Sequence, residues 1–394
     1  ENAITEVSIK LVDDMTGNEL AGATLTITDE EGKIVDAWFT EVENGYTIKG
    51  LDVDKNYTIT ETIPRDGYLV DFTGVSMKSE NGSLEKLEGA NVRFRLTDVA
   101  TNVDENGKIE RDTIPARTNI LLENPMVVGD VRINKDGEVL DSWTLLDRAV
   151  ALVKSVFSYQ KSGLAGVSFE VRAMEDIVHP DGVTGVLFRK GDIVTVNVQG
   201  IQSMAKAVTD EFGTASFEGM YLGKYELLET QTAEGYVRKT EPTAFSLAYV
   251  DGYTSPVSAV AGDINITNPR QKVKVNVAKK DVDTGESLEG AVIGLYTAEA
   301  VRNHAGNVIV QADTLLESVE TDADGKAVFE CDLPFGKYYV KELKAPDGYY
   351  RNDEAQYFTF KYEGDDTESV EIHLEISDKK MPERTNPGHH GSSS

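Results

Sequence analysis

GKYYVKELKAPDGY, residues Gly336–Tyr349, decides the fold, because the chain carries this stretch three times in altered form. The other copies are KNYTITETIPRDGY at Lys55–Tyr68 and GKYELLETQTAEGY at Gly223–Tyr236. In each copy a Glu follows a Tyr by four residues, and a second Tyr follows that Glu by seven. The alternation up to the Glu predicts a β-strand, and the Gly before the last Tyr predicts a turn. Each predicted strand therefore carries a Glu where the alternation leads one to expect an apolar core residue.

A second set of repeated segments precedes these copies and extends the repeat over most of the chain. Its members are ELAGATLTI at Glu19–Ile27, GLAGVSFEV at Gly163–Val171 and SLEGAVIGL at Ser287–Leu295. Many short alternating strands separated by turn residues predict an all-β protein of three tandem antiparallel β-sandwich domains. The best helical pattern, Ser142–Phe157, is rich in β-branched residues that also suit strands.

Two Asn-Pro pairs mark the predicted domain boundaries, because proline ends a strand. The predicted domains are 1–125, which is the most divergent, 126–270, which carries an insertion at 140–160, and 271–380. Residues 381–394 are predicted to be a tail, and GHHGSSS within it is typical of an artificial tag.

The composition excludes several classes of function. The chain of 394 residues has 39 Lys and Arg against 68 Asp and Glu, a net charge of −29. Such an acidic surface predicts no binding to nucleic acid and no contact with anionic membranes. A single cysteine, Cys331, excludes an internal disulfide, and its strand-like surroundings predict a buried thiol.

In the last repeat, three residue types that can react together fall on predicted core faces. Val273, Val275 and Val277 alternate with polar residues, and the same face continues to Lys279. Glu342 shares a face with apolar residues in its own strand, and Asp378 ends the alternating face of the last strand. A buried lysine without a partner is costly, so we expect Lys279, Glu342 and Asp378 to meet.

The middle repeat offers a matching set. Lys135 follows the alternating Val131 and Ile133, Glu229 is the repeated Glu, and Asn268 ends the last strand. Lys154 in VALVKSVF is a rival for Lys135, because it also follows alternating apolar residues.

The first repeat departs from this pattern. Its alternating face places Leu11 at the expected lysine position, and Lys10 lies one step away, where it should face outward unless a bulge redirects it. Glu61 is the repeated Glu, and either Asn124 or Asp98 is the candidate acceptor.

These residue types suit one covalent reaction. A neutral lysine amine is a nucleophile, an Asn or Asp side chain supplies a carbonyl, and a protonated Glu can polarise that carbonyl and carry a proton to the leaving group. The product is an amide cross-link between the first and last strands, formed once per molecule without turnover. The alternative is a buried Lys–Glu ion pair, or a lysine that extends to the rim.

The combined segments resemble the Cna B-type (prealbumin-like, SpaA-type) domains of Gram-positive surface adhesins and sortase-assembled pilins. The resemblance rests on KKDVDTGESLEGAVIGLY, GKYYVKELKAPDGYY and the closing strand, and it covers nearly the whole chain. It implies sandwiches of inverse immunoglobulin-like topology, often locked by a Lys–Asn or Lys–Asp isopeptide bond. It also implies an extracellular, cell-wall-anchored location and other pilin subunits as partners through sortase. The chain has neither a Leu-Pro-x-Thr-Gly signal nor a Tyr-Pro-Lys motif, which favours a stalk or adhesin over a shaft pilin.

By motif match, Lys279, Glu342 and Asp378 take the roles of nucleophile, catalytic acid and acceptor. Lys135, Glu229 and Asn268 take the same roles in the middle domain, and Lys10, Glu61 and Asn124 are the candidates in the first.

The competing function is that of an adhesin, which would bind a host extracellular protein or glycan through an exposed loop or an open sheet edge. The insertion Leu140–Gln160 is a candidate surface, although its aromatic residues also suit a core. No phosphate-binding loop, nucleophile elbow or zinc-ligand spacing occurs, so the sequence predicts neither a conventional enzyme nor a cofactor or metal.

Overall fold

The computed structural model describes residues 5–43, 45–70, 76–79, 83–87, 92–97, 102–103, 105–107, 109–110, 116–146, 152–198, 201–249 and 259–385. Their strands are numbered β1 to β32 in chain order. None of these segments forms a helix, so none supplies an apolar helix long enough to cross a bilayer. This all-β architecture of tandem sandwiches confirms the predicted fold class.

The first sandwich consists of two main sheets. Its strands are β1 (Thr5–Asp13), β2 (Thr24–Thr28), β3 (Ile34–Phe39), β4 (Tyr46–Lys49), β5 (Asn56–Ile63), β6 (Ser76–Ser79), β7 (Ser83–Leu87), β8 (Val92–Thr97), β9 (Asn102–Val103), β10 (Ile109–Glu110) and β11 (Ala116–Asn124). One sheet has the order β4-β1-β11-β6 and the other β3-β2-β5-β8-β7, while β9 and β10 form a separate pair. Tyr57 and Ile59 on β5 pack with Val7 and Ile9 on β1, so the two sheets share one core.

The middle sandwich repeats this arrangement. Its strands are β12 (Gly129–Leu145), β13 (Ser155–Gly163), β14 (Ser168–Ala173), β15 (Ile177–Val178), β16 (Val186–Phe188), β17 (Thr195–Val198), β18 (Ile201–Met204), β19 (Lys206–Val208), β20 (Thr214–Met220), β21 (Gly223–Gln231), β22 (Thr243–Leu247) and β23 (Ala259–Asn268). One sheet has the order β13-β12-β20 with β23 also paired to β12, and the other has the order β19-β14-β21-β22. Two small pairs, β15-β16 and β17-β18, complete it.

The last sandwich is built the same way. Its strands are β24 (Lys272–Asp281), β25 (Val292–Thr297), β26 (Val301–Arg302), β27 (Val308–Val310), β28 (Leu315–Glu320), β29 (Lys326–Phe329), β30 (Gly336–Lys344), β31 (Gln356–Phe360) and β32 (Ser369–Asp378). One sheet has the order β29-β24-β32, the other β28-β25-β30-β31, and β26 pairs with β27.

In every sandwich the first and last strands lie side by side and run parallel, although most other pairs are antiparallel. These parallel pairs are β1 with β11, β12 with β23, and β24 with β32. In each pair, the candidate acceptor faces the residue that follows the candidate lysine position by two. The facing residues are Asp13 and Asn124, Gly137 and Asn268, and Asp281 and Asp378. The same register therefore recurs three times and brings equivalent side chains together.

The insertion predicted at 140–160 extends the middle sandwich as a hairpin rather than a helix. β12 continues to Leu145 and pairs with β13 from Asp136 opposite Gly163 to Leu145 opposite Ser155. Residues 142–145 and 155–157 are therefore strand, and 147–151 between them lie outside the described residues.

This hairpin, β12–β13, packs against the last sandwich. Phe157 is buried in the apolar core that contains Val277 and Ile376, and Trp143 and Tyr159 pack against the same core. Ser155 Oγ donates a hydrogen bond of 2.6 Å to the carbonyl of Leu316. The aromatic residues of the insertion thus contribute to a core instead of forming an exposed binding surface.

Two further sequence predictions cannot be compared with the structure. The alternative acceptor Asp98 and the tag-like segment GHHGSSS both lie outside the described residues.

Candidate functional site

The last sandwich brings Lys279, Glu342 and Asp378 together at its centre. The strands β24, β30 and β32 carry them, and each side chain is fully buried. Lys279 Nζ lies 3.3 Å from Glu342 Oε1 and makes a very short contact with Asp378 Oδ1. The sequence prediction placed these three residues together, and the structure has them in contact.

The surroundings of the Glu342 carboxyl favour its protonated form. Burial, followed by a hydrogen bond with Asp378, raises its pKa to about 7. The backbone N–H of Asn352 donates a hydrogen bond of 2.7 Å to Glu342 Oε2 and fixes the carboxyl orientation. Glu342 can therefore hold a proton beside the Asp378 carboxyl near neutral pH.

The middle sandwich has the equivalent cluster of Lys135, Glu229 and Asn268. Lys135 Nζ lies 3.1 Å from Glu229 Oε2, and the exposed fractions of the two side chains are 0% and 1%. Lys135 Nζ also donates a short hydrogen bond to Asn268 Oδ1. Asn268 Nδ2 in turn donates a short hydrogen bond to Glu229 Oε1. Lys154, the rival nucleophile, is exposed, so the geometry selects Lys135.

Burial changes the acid–base character of Lys135. Desolvation lowers the pKa of its amine, although the charge of Glu229 opposes this effect. A lysine in such a dry site gains a larger fraction of neutral amine, which is the nucleophilic form.

Asn268 has one more partner, which the sequence prediction did not include. Its Nδ2 also donates a hydrogen bond of 2.9 Å to Thr232 Oγ1. Thr232 is 8% exposed and follows β21 directly, three residues after Glu229. No alternation pattern singles out a residue beyond the end of a strand. A comparison of the three repeats at this position could have done so, because Pro64 and Ala345 occupy it elsewhere.

The first sandwich keeps two of the three side chains. Asn124 Nδ2 donates hydrogen bonds of 2.8 and 2.9 Å to the two carboxyl oxygens of Glu61. Leu11, 3% exposed, occupies the strand position that Lys135 and Lys279 hold in the other sandwiches.

The prediction that Lys10 pairs with Asn124 is corrected by the structure. No bulge redirects Lys10, because β1 stays in register with β11 throughout. Its side chain therefore points away from the core, is 45% exposed, and forms an ion pair of 3.4 Å with Glu19.

The Glu61–Asn124 pair shows the consequence of the missing lysine. Burial raises the pKa of Glu61 to about 7, although the hydrogen bond from Asn124 opposes the increase. Asn124 Oδ1 is buried and has no hydrogen-bond partner within the described residues. In the middle sandwich the lysine amine bonds the equivalent oxygen of Asn268.

The second Tyr of each repeated stretch holds the turn region near the cluster. Tyr68 Oη donates a hydrogen bond of 2.6 Å to Asp13 Oδ2, and Tyr349 Oη donates one of 2.8 Å to Asp281 Oδ2. In the middle sandwich Tyr236 Oη donates 2.7 Å to the carbonyl of Glu138. These bonds tie the segment after the Glu strand to the first strand, two or three residues beyond the lysine position, which explains why the spacing from Glu to Tyr recurs.

Each of the two complete clusters holds a lysine amine, a Glu carboxyl and an Asn or Asp carbonyl within contact distance. Both clusters lie in buried cores, where burial lowers the pKa of the Lys135 amine and raises that of the Glu342 carboxyl. Among the described residues no group of three or more His, Cys, Asp or Glu side chains could hold a metal ion.

Comparison with known proteins places the repeats in a family. The family model described as SpaA, prealbumin-like fold domain, matches residues 5–91, 152–259 and 273–375. Among curated proteins, no relative matches the chain.

Solved structures that match the chain include a Bacillus anthracis protein and two pilins. The Bacillus anthracis TIE protein is 20% identical with a TM-score of 0.51, covering 96% of this chain and 51% of its own. This chain thus spans about half the length of the TIE protein. BcpA, the major pilin subunit of Bacillus cereus, is 13% identical with a TM-score of 0.34, and the match covers 96% of this chain and 100% of BcpA. The shaft pilin SpaA from Lactobacillus rhamnosus GG is 16% identical with a TM-score of 0.21, covering 66% and 100%.

Proposed function

Because this chain belongs to the SpaA family of prealbumin-like fold domains, we propose that it is an extracellular structural stalk or pilin subunit of a Gram-positive cell wall. In this proposal two of its three sandwiches are stapled by self-formed amide bonds, Lys135 to Asn268 and Lys279 to Asp378. The observation that carries the proposal is the pair of buried clusters joining the first and last strands. The units have the boundaries 1–125, 126–270 and 271–380, with the hairpin β12–β13 reaching from the second unit onto the third.

The reaction in the middle sandwich exchanges one bond for another. The neutral amine of Lys135 attacks Cγ of Asn268, and its surplus proton passes to Glu229. Glu229 delivers a proton to Nδ2, the Cγ–Nδ2 bond breaks, and ammonia leaves as the new amide forms. In the last sandwich, Lys279 attacks Asp378, Glu342 carries the proton, and water leaves.

The staple stabilises the fold mainly by restricting the unfolded chain. It closes a loop that contains nearly the whole sandwich, so the entropic effect resembles that of a long-loop disulfide, on the order of 4 kcal/mol. Unlike a disulfide, the amide bond needs no oxidant to form. The chain has a single cysteine and therefore cannot form an internal disulfide.

The intact mass of the denatured, reduced chain tests the proposal. We expect a deficit of one ammonia plus one water relative to the sequence mass. Glu229→Gln should retain the ammonia, and Glu342→Gln should retain the water, each without affecting the other loss. The full unmodified mass would show that both clusters are ion-paired cores and would overturn the proposal.

A second function, adhesion to a host protein, is favoured by one surface feature. β3 is an edge strand that exposes Ile34, Val35 and Phe39 at 60%, 44% and 72%. An edge strand with exposed apolar side chains can accept an extended segment of another protein as an additional strand.

Solid-phase binding to host extracellular matrix proteins tests this alternative. Phe39→Lys should abolish binding, whereas Ile63→Lys, an equally radical change at another exposed apolar residue, should not. Equal binding by both variants would exclude β3 as the contact.

A further inference from the structure

Among the described residues, Thr232 contributes a side-chain hydrogen bond to the middle cluster for which the three-residue reaction has no role. Its hydroxyl accepts a hydrogen bond of 2.9 Å from Asn268 Nδ2, the nitrogen that would depart as ammonia. At 8% exposed, it belongs to the dry interior of the site. We propose that Thr232 is a further catalytic residue, which orients the Asn268 amide and stabilises its nitrogen as it leaves. This inference rests on the cross-link proposed above.

Both N–H groups of the Asn268 amide have an acceptor in the cluster. The amide nitrogen of Asn268 has two N–H groups, one bound to Glu229 Oε1 and the other to Thr232 Oγ1. With both donors engaged, Oδ1 is left facing Lys135 Nζ. The amide plane is thereby fixed between the nucleophile on one side and the proton carrier on the other. A rotated amide would instead direct an N–H at the lysine amine, which is the nucleophile.

The departing nitrogen of Asn268 would carry a positive charge just before it leaves. When Glu229 protonates Nδ2, the nitrogen becomes tetrahedral and carries a positive charge until the Cγ–Nδ2 bond breaks. A hydroxyl oxygen already in place can accept one of its three N–H groups, and hydrogen bonds to charged groups are stronger than those to neutral ones. In a site without water, no solvent molecule replaces that acceptor.

The other two sandwiches are consistent with a role specific to ammonia. In the last sandwich the acceptor is an acid that releases water, and the position equivalent to Thr232 is Ala345. In the first sandwich no lysine is in place to drive a reaction, and the equivalent position is Pro64. The hydroxyl therefore occurs in the sandwich where a nitrogen must leave.

Two substitutions separate the hydroxyl from the packing of the side chain. Thr232→Val keeps the shape and removes the hydroxyl, whereas Thr232→Ser keeps the hydroxyl and removes a methyl group. The full chain is synthesised in a cell-free system, and samples are quenched in acid denaturant at intervals. Peptide mass spectrometry then measures the cross-linked fraction in the middle and last sandwiches of the same molecules.

We expect Thr232→Val to slow the loss of ammonia roughly tenfold, the effect of one lost hydrogen bond to a charged group. The loss of water from the last sandwich should keep its normal rate and serves as the internal control for folding. Thr232→Ser should form both bonds at rates close to those of the unmodified chain.

Two results would overturn the inference while leaving the proposed function intact. One is normal ammonia loss in Thr232→Val. The other is an equal delay in Thr232→Ser, which would assign Thr232 to packing. If the unmodified chain loses no ammonia, the proposed function fails, and the role of Thr232 fails with it.

Discussion

Leu11 is the residue that sets the first sandwich apart. It occupies the position of a buried lysine and leaves Glu61 and Asn124 bonded to each other, with the carbonyl oxygen of Asn124 unpartnered within the described residues. An apolar side chain here avoids burying a charge, at the expense of one unsatisfied acceptor. The rest of the arrangement matches the middle cluster in register and residue type.

We predict that Leu11→Lys gives the first sandwich a cross-link to Asn124. The new amine would meet the free carbonyl oxygen and a Glu whose pKa is already raised to about 7. The intact mass should fall by one further ammonia. Leu11→Met, similar in size but without an amine, should leave the mass deficit unchanged, as should Leu11→Lys combined with Glu61→Gln. A folded Leu11→Lys chain that keeps its ammonia would show that Asn124 is not positioned to react.

Glu61 should make the first sandwich less stable as the pH rises. Burial raises its pKa from 4.5 to about 7, so the folded state holds the proton longer than the unfolded state does. The favourable contribution is complete below pH 4.5, decreases between pH 4.5 and about 7, and is absent above. The total change is on the order of 3 kcal/mol.

Urea unfolding followed by Trp38 fluorescence measures this effect in the first sandwich, with Trp143→Phe as the background. Glu61→Gln, which cannot ionise, should show a stability gain over the parent that grows across the same pH interval. A gain independent of pH would show that Glu61 is ionised in the folded state.

The sequence could predict the residues of the two buried clusters wherever strand alternation applies. Lys135, Lys279 and their acceptors follow from two-residue periodicity, because one face of each strand must meet the core. Alternation also made Lys154 a rival, since a pattern of apolar residues cannot show where a strand begins. In the structure the strand begins at Ser155, so Lys154 lies outside it and is exposed. Thr232 was missed because it follows the end of its strand.

At the scale of elements, the hairpin β12–β13 links two sandwiches. Val153 and Ser318 exchange two hydrogen bonds, from Val153 N to Ser318 Oγ at 2.7 Å and from Ser318 N to the Val153 carbonyl at 2.9 Å. Tyr159 Oη donates 2.8 Å to the carbonyl of Asp332. The sequence left helix and strand open for Ser142–Phe157, and it could not predict the partner, because a periodic pattern shows that a face is buried and not which sheet covers it.

We predict that Phe157→Ala loosens the hairpin from the last sandwich. Removing a buried aromatic ring costs about 3–5 kcal/mol where the surroundings cannot collapse. Cys331 reports on this event, because its thiol lies beneath the hairpin and burial raises its pKa to about 12. Iodoacetamide should label Cys331 at least tenfold faster in the variant, a rise that requires about 1.4 kcal/mol.

Val156→Ala is the matched control, since Val156 lies next to Phe157 on β13 with its side chain 42% exposed. It should leave the labelling rate unchanged. Equal rates in the two variants would mean that the hairpin does not protect the thiol.

At the scale of the whole molecule, the cross-links should be visible even after unfolding. A linear chain of 394 residues has an unfolded radius of gyration of about 70 Å. The bonds would gather 136–267 and 280–377 into loops, which leaves a shorter path from end to end. A chain made only of the residues outside the loops would have a radius of gyration of about 43 Å. In concentrated guanidinium, X-ray scattering should give a radius of gyration between that value and the linear one.

The double variant Glu229→Gln with Glu342→Gln is the linear reference. Its radius of gyration should return to the larger, linear value, although its length and its number of apolar residues are unchanged. Identical radii for the two chains would contradict the presence of the loops.

The parallel pairing of first and last strands also decides the route of a tensile load. Parallel strands point the same way, so the chain enters a sandwich at one end and leaves it at the other. With its bond in place, tension entering the middle sandwich at Gly129 would reach Lys135, cross to Asn268 and leave, so 136–267 would carry none of it. In the first sandwich Leu11 takes the place of the lysine, so without a bridge the same tension would shear the hydrogen bonds between β1 and β11. Under load, that sandwich would lengthen first and act as the extensible segment of a chain whose other two sandwiches are bridged.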